Sequence, residues 1–104
     1  MKEISVQDFK RMRDEGELHR LIDVREPYEH DELNMGGELI PMGDIPSQLD
    51  TLPKDIPLIL HCRSGTRSGN MVRFMEQKGF QNVYSLRGGI RAWVEQIEPE
   101  LGTI

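Results

Sequence analysis

Leu58-Ile59-Leu60-His61-Cys62-Arg63-Ser64-Gly65-Thr66-Arg67-Ser68 is the stretch on which the reading of this chain turns. Three aliphatic residues in a row predict a strand buried on both faces, as in the interior of a parallel sheet. The run ends at the only cysteine of the chain and passes into a segment with two arginines, three hydroxyls and a glycine. Beyond it Met71, Phe74 and Met75 recur at helical spacing, and Gly79 marks the end of that helix. The order is therefore strand, polar loop, helix. In an open α/β sheet ligands collect at the carboxyl ends of strands, and Cys62 lies at such an end.

Working outward, the flanking segments repeat the alternation. Ser5 with Asp8 three residues on reads as a helix start, Val6, Phe9 and Met12 give an amphipathic helix, and Gly16 ends it. Leu21 to Arg25 predicts a short strand stopped by Pro27, and Tyr28 to Leu33 a helical turn. After Gly36-Gly37, Leu39-Ile40 is a very short strand candidate. Pro41, Pro46, Pro53 and Pro57 then break the chain into turns, with a helical turn between Ile45 and Leu52. Val83 to Leu86 predicts a further strand, Gly88-Gly89 a turn, and Ile90 to Gln96 a last helix closed by Pro99. Strands alternating with helices imply an α/β fold, a parallel sheet with helices on both faces, in one domain over residues 1–104.

The bulk properties narrow the function. At 37% apolar and 30% charged residues the composition is that of an ordinary globular protein, and no apolar run approaches the roughly 20 residues that span a bilayer. The first residues lack the apolar core of a signal peptide and one cysteine cannot form an internal disulfide, so a cytoplasmic protein without membrane partners is expected. A net charge of −5 with no basic stripe argues against nucleic acid as a partner. His19, His30 and His61 have no metal-ligand spacing, so neither a metal nor another cofactor is expected. Any anion bound by this acidic chain must rely on local positive charge, because the global field is screened beyond about 8 Å.

The loop after Cys62 offers that charge. If Arg63 to Ser68 curl back to begin the next helix, several backbone N–H groups face one concavity, and such a nest with a helix N-terminus binds anions. The same dipoles, with Arg63 and Arg67 nearby, lower a thiol pKa and favour a thiolate at neutral pH. Gly65 is expected at the sharp bend with positive φ. Ser64, Thr66 and Ser68 supply hydroxyl donors or cap the helix. Cys62 is thus expected in a loop cup rather than in the core, with its replacement by serine costing little stability. His61 belongs to the preceding strand, whose period of two turns its side chain away from Cys62, and it reads as a satisfied or partly exposed histidine rather than a base. Asp23 and Arg25 read as structural, with Arg25 pairing with Glu29 or another carboxylate. Trp93 reads as a core residue, Gly88-Gly89 as a place of close backbone approach, and Arg87, Arg91, Glu95, Glu98 and Glu100 as surface.

Several of these pieces together resemble a rhodanese-like sulfurtransferase domain. They are Leu21-Ile22-Asp23-Val24-Arg25-Glu26 with Tyr28-Glu29, the loop Cys62 to Ser68, Gly79-Phe80, Val83 to Leu86, and Leu86-Arg87-Gly88-Gly89-Ile90-Arg91-Ala92-Trp93. The resemblance runs through nearly the whole chain. It implies a five-stranded parallel sheet and double-displacement chemistry. Cys62 would take the outer sulfur of a small anionic donor such as thiosulfate, or of a protein persulfide. It would hold that sulfur as a persulfide and pass it to a thiophilic or protein acceptor. Arg63, Ser64, Gly65, Thr66, Arg67 and Ser68 would bind the substrate. The phosphate-hydrolysing relatives of this fold resemble the cell-cycle phosphatases and have a loop one residue longer. Here four residues separate Cys62 from Arg67, and none in the loop is acidic. The alternatives are a cysteine-dependent phosphatase or arsenate reductase, and a non-enzymatic anion-binding or docking module. Asn34 to Pro41 departs from the histidine-containing stretch common in the family. Its Gly-Gly-Glu-Leu-Ile-Pro run is similar to that of rhodanese domains attached to adenylating enzymes of sulfur-carrier activation.

Overall fold

The computed structural model describes residues 1–104. Its centre is a five-stranded sheet in the order β1-β5-β4-β2-β3, with every neighbouring pair parallel. The strands are β1 (Glu3–Ile4), β2 (Arg20–Asp23), β3 (Glu38–Leu39), β4 (Leu58–His61) and β5 (Val83–Leu86). The helices are α1 (Val6–Asp14), α2 (Pro27–Glu32), α3 (Ile45–Gln48), α4 (Thr66–Gln77) and α5 (Gly89–Gln96). Short 3-10 turns flank α3 and follow α5. The α/β architecture is the one the alternating pattern implies. The edge strand β1 carries no sequence signal, because two residues are too short to show a period. It is recognised only through its pairing with Ser85 and Leu86.

The sheet separates two apolar layers. Ile22, Val24, Leu58, Leu60 and Val83 face α3 and α4, where Ile45, Val72, Met75 and Phe80 meet them. Leu21, Ile59 and Leu86 face α1 and α5, where Phe9, Ile90, Trp93 and Val94 complete the second layer. β4 is fully buried because both of its faces are covered, which is why Leu58, Ile59 and Leu60 are all aliphatic. Each such side chain contributes about 1.5–3 kcal/mol through removal from water. Trp93 sits in the second layer as expected, edge-on to Phe9 at 5.7 Å between ring centroids. Its Nε1 donates to Glu98 at 2.9 Å, so Glu98 is bound to the core rather than simply solvated. Ser5 caps α1 by accepting from the Asp8 N–H at 3.0 Å.

The strand order places the site. β2 and β4 are neighbours, yet the chain leaving β2 runs to β3 on one side and the chain leaving β4 runs to β5 on the other. Connections that diverge from adjacent parallel strands leave a crevice at their carboxyl ends. The residues after β2 and the loop after β4 therefore face each other, which brings the Asp23–Glu29 segment to the Cys62 loop.

Candidate active site

The Cys62 loop is shaped by where its carbonyls point. The Cys62 carbonyl accepts from the Ile90 N–H at 2.9 Å and the Arg63 carbonyl from the Arg91 N–H at 3.0 Å. The first N–H groups of α5, which have no partner within their own helix, are thus satisfied by the loop. A trans peptide sets its N–H opposite its C=O, so turning these carbonyls towards α5 turns the following N–H groups the other way. Gly89 makes the approach possible: a Cβ there would lie 2.4 Å from the Arg63 oxygen and 2.5 Å from the Cys62 oxygen. The loop then reverses at Gly65, whose φ of 110° is open to glycine and strained for other residues.

The Cys62 Sγ lies in the resulting cup. The Gly65 N–H donates to it at 3.1 Å and the Ser68 N–H at 3.4 Å, and the Ser68 hydroxyl is 3.5 Å away. The Ser68 oxygen also meets the Ser85 hydroxyl at 2.8 Å. With Ser85 donating, the Ser68 hydrogen is free to point at a thiolate. Burial raises the thiol pKa, but the Ser68 hydroxyl and the N–H groups of Ser68, Gly65 and Ser64 outweigh it, and the net shift is downward. Cys62 is 1% exposed and packs with Val24, Leu60 and Val72. The expectation of a loop cup set apart from the core is therefore corrected: Cys62 is the last residue of the α4-side core and the floor of the cup at once. The serines do not cap α4 with their side chains. Gly65 occupies the cap position and leaves the N–H groups of that turn to the sulfur.

The two loop arginines are placed differently from one another. Arg63 is exposed, and Arg67 reaches across to α2, donating from Nη1 and Nη2 to the two oxygens of Glu29 at 2.7 and 3.0 Å. Glu29 Oε1 also accepts from the Glu26 N–H at 3.1 Å, which locks the carboxylate to the start of α2. Arg67 holds Glu29 below the usual carboxylate range. Arg25 pairs with Asp23 rather than with Glu29. Its Nε and Nη2 donate to the two Asp23 oxygens at 2.9 and 2.8 Å, and Nη2 also donates to the Leu33 carbonyl at 2.7 Å. Ser64 and Thr66 border a second cleft with Arg73, Arg87 and Gly88. Arg87 and Arg91 make exposed pairs with Glu3 and Glu95, as surface residues do.

Behind the loop lies a buried polar cluster that the linear sequence does not disclose. Asp23 and His61 are cross-strand partners on the sheet face opposite Cys62. His30 Nδ1 lies 2.9 Å from Asp23 Oδ2, and His61 Nε2 lies 3.9 Å from the same oxygen. His61 faces away from the thiol as its strand position predicts. It is wholly buried rather than partly exposed, and Nε2 has no hydrogen-bond partner. Its Nδ1 is 3.4 Å from the Cys62 carbonyl. Burial, aided by Arg25 and opposed by Asp23, pushes the His61 pKa down to about 4. Of the residues around the site, Glu29, Ser85 and His30 meet partners that the linear sequence does not indicate. Only Ser85, a polar residue in an otherwise apolar strand core, leaves a trace there.

Fold and site define a parallel α/β domain that presents one cysteine in a cup of backbone N–H groups. The model of the rhodanese-like domain matches residues 5–96, and the chain belongs to that family. It is 39% identical over 101 residues to the putative sulfurtransferase YtwF of Bacillus subtilis, covering 96% of this chain and 97% of that protein. It is 36% identical over 101 residues to the probable adenylyltransferase/sulfurtransferase MoeZ of Mycobacterium tuberculosis. That match covers 94% of this chain but only 26% of MoeZ, so the chain spans about a quarter of that relative's length. Among solved structures, a rhodanese-related protein from Thermoplasma volcanium superposes with a TM-score of 0.84 at 27% identity, over 95% of this chain and 96% of that one. No helix is long and apolar enough to cross a membrane.

Proposed function

We propose that this protein is a sulfurtransferase that carries sulfane sulfur on Cys62. The observation behind this reading is the pair of N–H groups from Gly65 and Ser68 that donate to one sulfur atom, with the Ser68 hydroxyl beside them. Donors fixed in this way stabilise negative charge without reorganising, the principle of an oxyanion hole. A thiolate attacks the outer sulfur of a donor, the S–S bond of the donor breaks, and its remainder leaves with the electron pair. With thiosulfate the leaving group is sulfite; with a persulfide it is a thiolate. The sulfur then on Cys62 is passed to an acceptor thiolate or cyanide, which regenerates the free thiolate. Arg63 and the loop from Ser64 to Ser68 form the substrate-binding side of the cup. The loop and Cys62 need no metal or organic cofactor for these steps, since both are displacements at sulfur. Partners of the sulfur-carrier kind are favoured by the likeness to an adenylyltransferase/sulfurtransferase, and a cytoplasmic setting fits a free thiol.

The test is intact-protein mass spectrometry after incubation with thiosulfate or, separately, with an alkyl persulfide, alongside Cys62→Ser. The expected result is one added sulfur on the wild type, removed by cyanide, and none on Cys62→Ser. Hydrolysis of an aryl phosphate above the level of Cys62→Ser, with no sulfur gained from either donor, would replace this reading with phosphatase chemistry.

A further inference from the structure

The donor's charge is the open question in that reading, and the environment of Arg67 bears on it. The charge of the Cys62 sulfur favours the charged form of Arg67, the loop arginine that reaches across the crevice to α2. Yet its Nη1 and Nη2 are both engaged by Glu29. A carboxylate on these two donors occupies the place that two oxygens of a sulfonate would take. Glu29 does not hold this position by chance. It is the third residue of α2, its Oε1 is tied to the Glu26 N–H, and Pro27 opens the helix with a fixed φ. A dianionic donor must therefore either displace an intramolecular anion already in place or approach with a like charge beside it. Charge elsewhere does not compensate. The cleft beside the loop, lined by Arg25, Leu33 and Arg63, is also bordered by Glu29 and Glu32, and its Arg25 is committed to Asp23. Arg63 remains as one exposed cation without an ion-pair partner.

We infer that Glu29 is a specificity-determining residue that, by occupying Arg67, selects neutral or singly charged persulfide donors over dianionic ones such as thiosulfate. The inference rests on the sulfur-transfer reading above. The favoured step is balanced without any oxidant. The Cys62 thiolate attacks the terminal sulfur of R–S–SH, a new S–S bond forms on Cys62, the donor's S–S bond breaks, and R–S⁻ leaves with the bonding pair. The neutral donor brings no charge, its proton stays on the transferred sulfur as Cys62–S–SH, and the thiolate's single negative charge leaves on R–S⁻. An ionised donor, R–S–S⁻, brings one charge, which stays on the new persulfide. The thiosulfate step brings two further negative charges to the same place and releases them as sulfite.

The experiment measures the rate of Cys62 sulfur loading, by mass spectrometry under single-turnover conditions, from an alkyl persulfide and from thiosulfate. It compares wild type, Glu29→Gln and Arg63→Ala. Glu29→Gln keeps the shape of the side chain and removes its charge. It is expected to shift the ratio of the two loading rates about tenfold towards thiosulfate, the effect of one unit charge beside a dianion at near-aqueous dielectric. Arg63→Ala is expected to shift the ratio the opposite way. In the wild type alone, raising salt should speed thiosulfate loading relative to persulfide loading, a readout that no variant's folding can disturb. A ratio unchanged by Glu29→Gln and by salt would overturn the inference while leaving sulfur transfer intact. Failure of the folded wild type to load from either donor would overturn both.

Discussion

Two arginine–carboxylate pairs flank the crevice, alike in chemistry and opposite in setting. Arg25 and Asp23 are 2% and 0% exposed, whereas Arg67 and Glu29 are 32% and 15% exposed. Both are bidentate, with the shorter contact near 2.8 Å in the first and 2.7 Å in the second. Geometry therefore does not distinguish them; water does. Breaking the first leaves a charge in the interior, while Arg67, the more exposed member of the second, can turn to solvent or to a ligand. The buried pair fixes the end of β2, where Asp23 Oδ1 also accepts the Arg25 N–H at 3.0 Å. The partly exposed pair spans 38 residues of sequence and joins the Cys62 loop to α2 across the crevice. One pair can serve only the fold, and the other is free to serve selection.

The comparison is easiest to break at its buried member. Asp23→Asn keeps the volume and removes the charge opposing Arg25, and it is expected to lower stability by about 3–5 kcal/mol, read as a shift in the urea midpoint. A loss no larger than that of Glu29→Gln would mean that burial does not separate the pairs.

The next effect is in pH. His61 lies against Asp23 and has a folded pKa of about 4, below the ordinary 6.5. Between those values the unfolded chain binds a proton that the native chain refuses. Stability is thus complete above about pH 6.5 and falls as pH drops towards 4, by on the order of 3 kcal/mol. Asp23, whose folded pKa is held at about 2 against the cost of burial by Arg25 and its histidine neighbours, extends the loss from about pH 4 downwards. Urea midpoints from pH 7 to 4.5 should slope in the wild type and flatten in His61→Phe. A flat wild-type profile would show that His61 takes up its proton in the native state.

The smallest stability change is expected at the exposed member. Arg67→Ala should cost no more than about 1 kcal/mol. It also sharpens the account of the thiol. The N–H groups and the Ser68 hydroxyl are the principal causes of the lowered Cys62 pKa, so Ser68→Ala should raise that pKa more than Arg67→Ala does. The pH dependence of Cys62 alkylation by iodoacetamide measures both. The reverse order would return to the arginines the role that their proximity in sequence suggests.

Much of the site could be read along the chain because its chemistry is local. The apolar run of β4, the thiol at its end, the bend at Gly65 and the two glycines before α5 lie within short windows, and each is forced by strand burial or by backbone sterics. The order of strands and helices followed from the same periodicities. Local pattern does not report which distant groups meet. Asp23 and Glu29 are both acidic residues of one motif, and nothing in their spacing says that the first takes Arg25 and the second Arg67. Ser85 supports Ser68 only because β5 lies next to β4. His61 is buried with an unpartnered nitrogen because Asp23 is its cross-strand neighbour. The two-residue β1 is defined by its pairing alone. The residue types and their spacing determined the fold class and the place of the lone thiol at a strand end, since steric and hydrophobic rules act over a few residues. The partner of each charge, and hence which arginine is spent on the fold and which is held at the site by a carboxylate, was decided by the strand order. Electrostatic pairing acts through space, and only the closed sheet sets those distances.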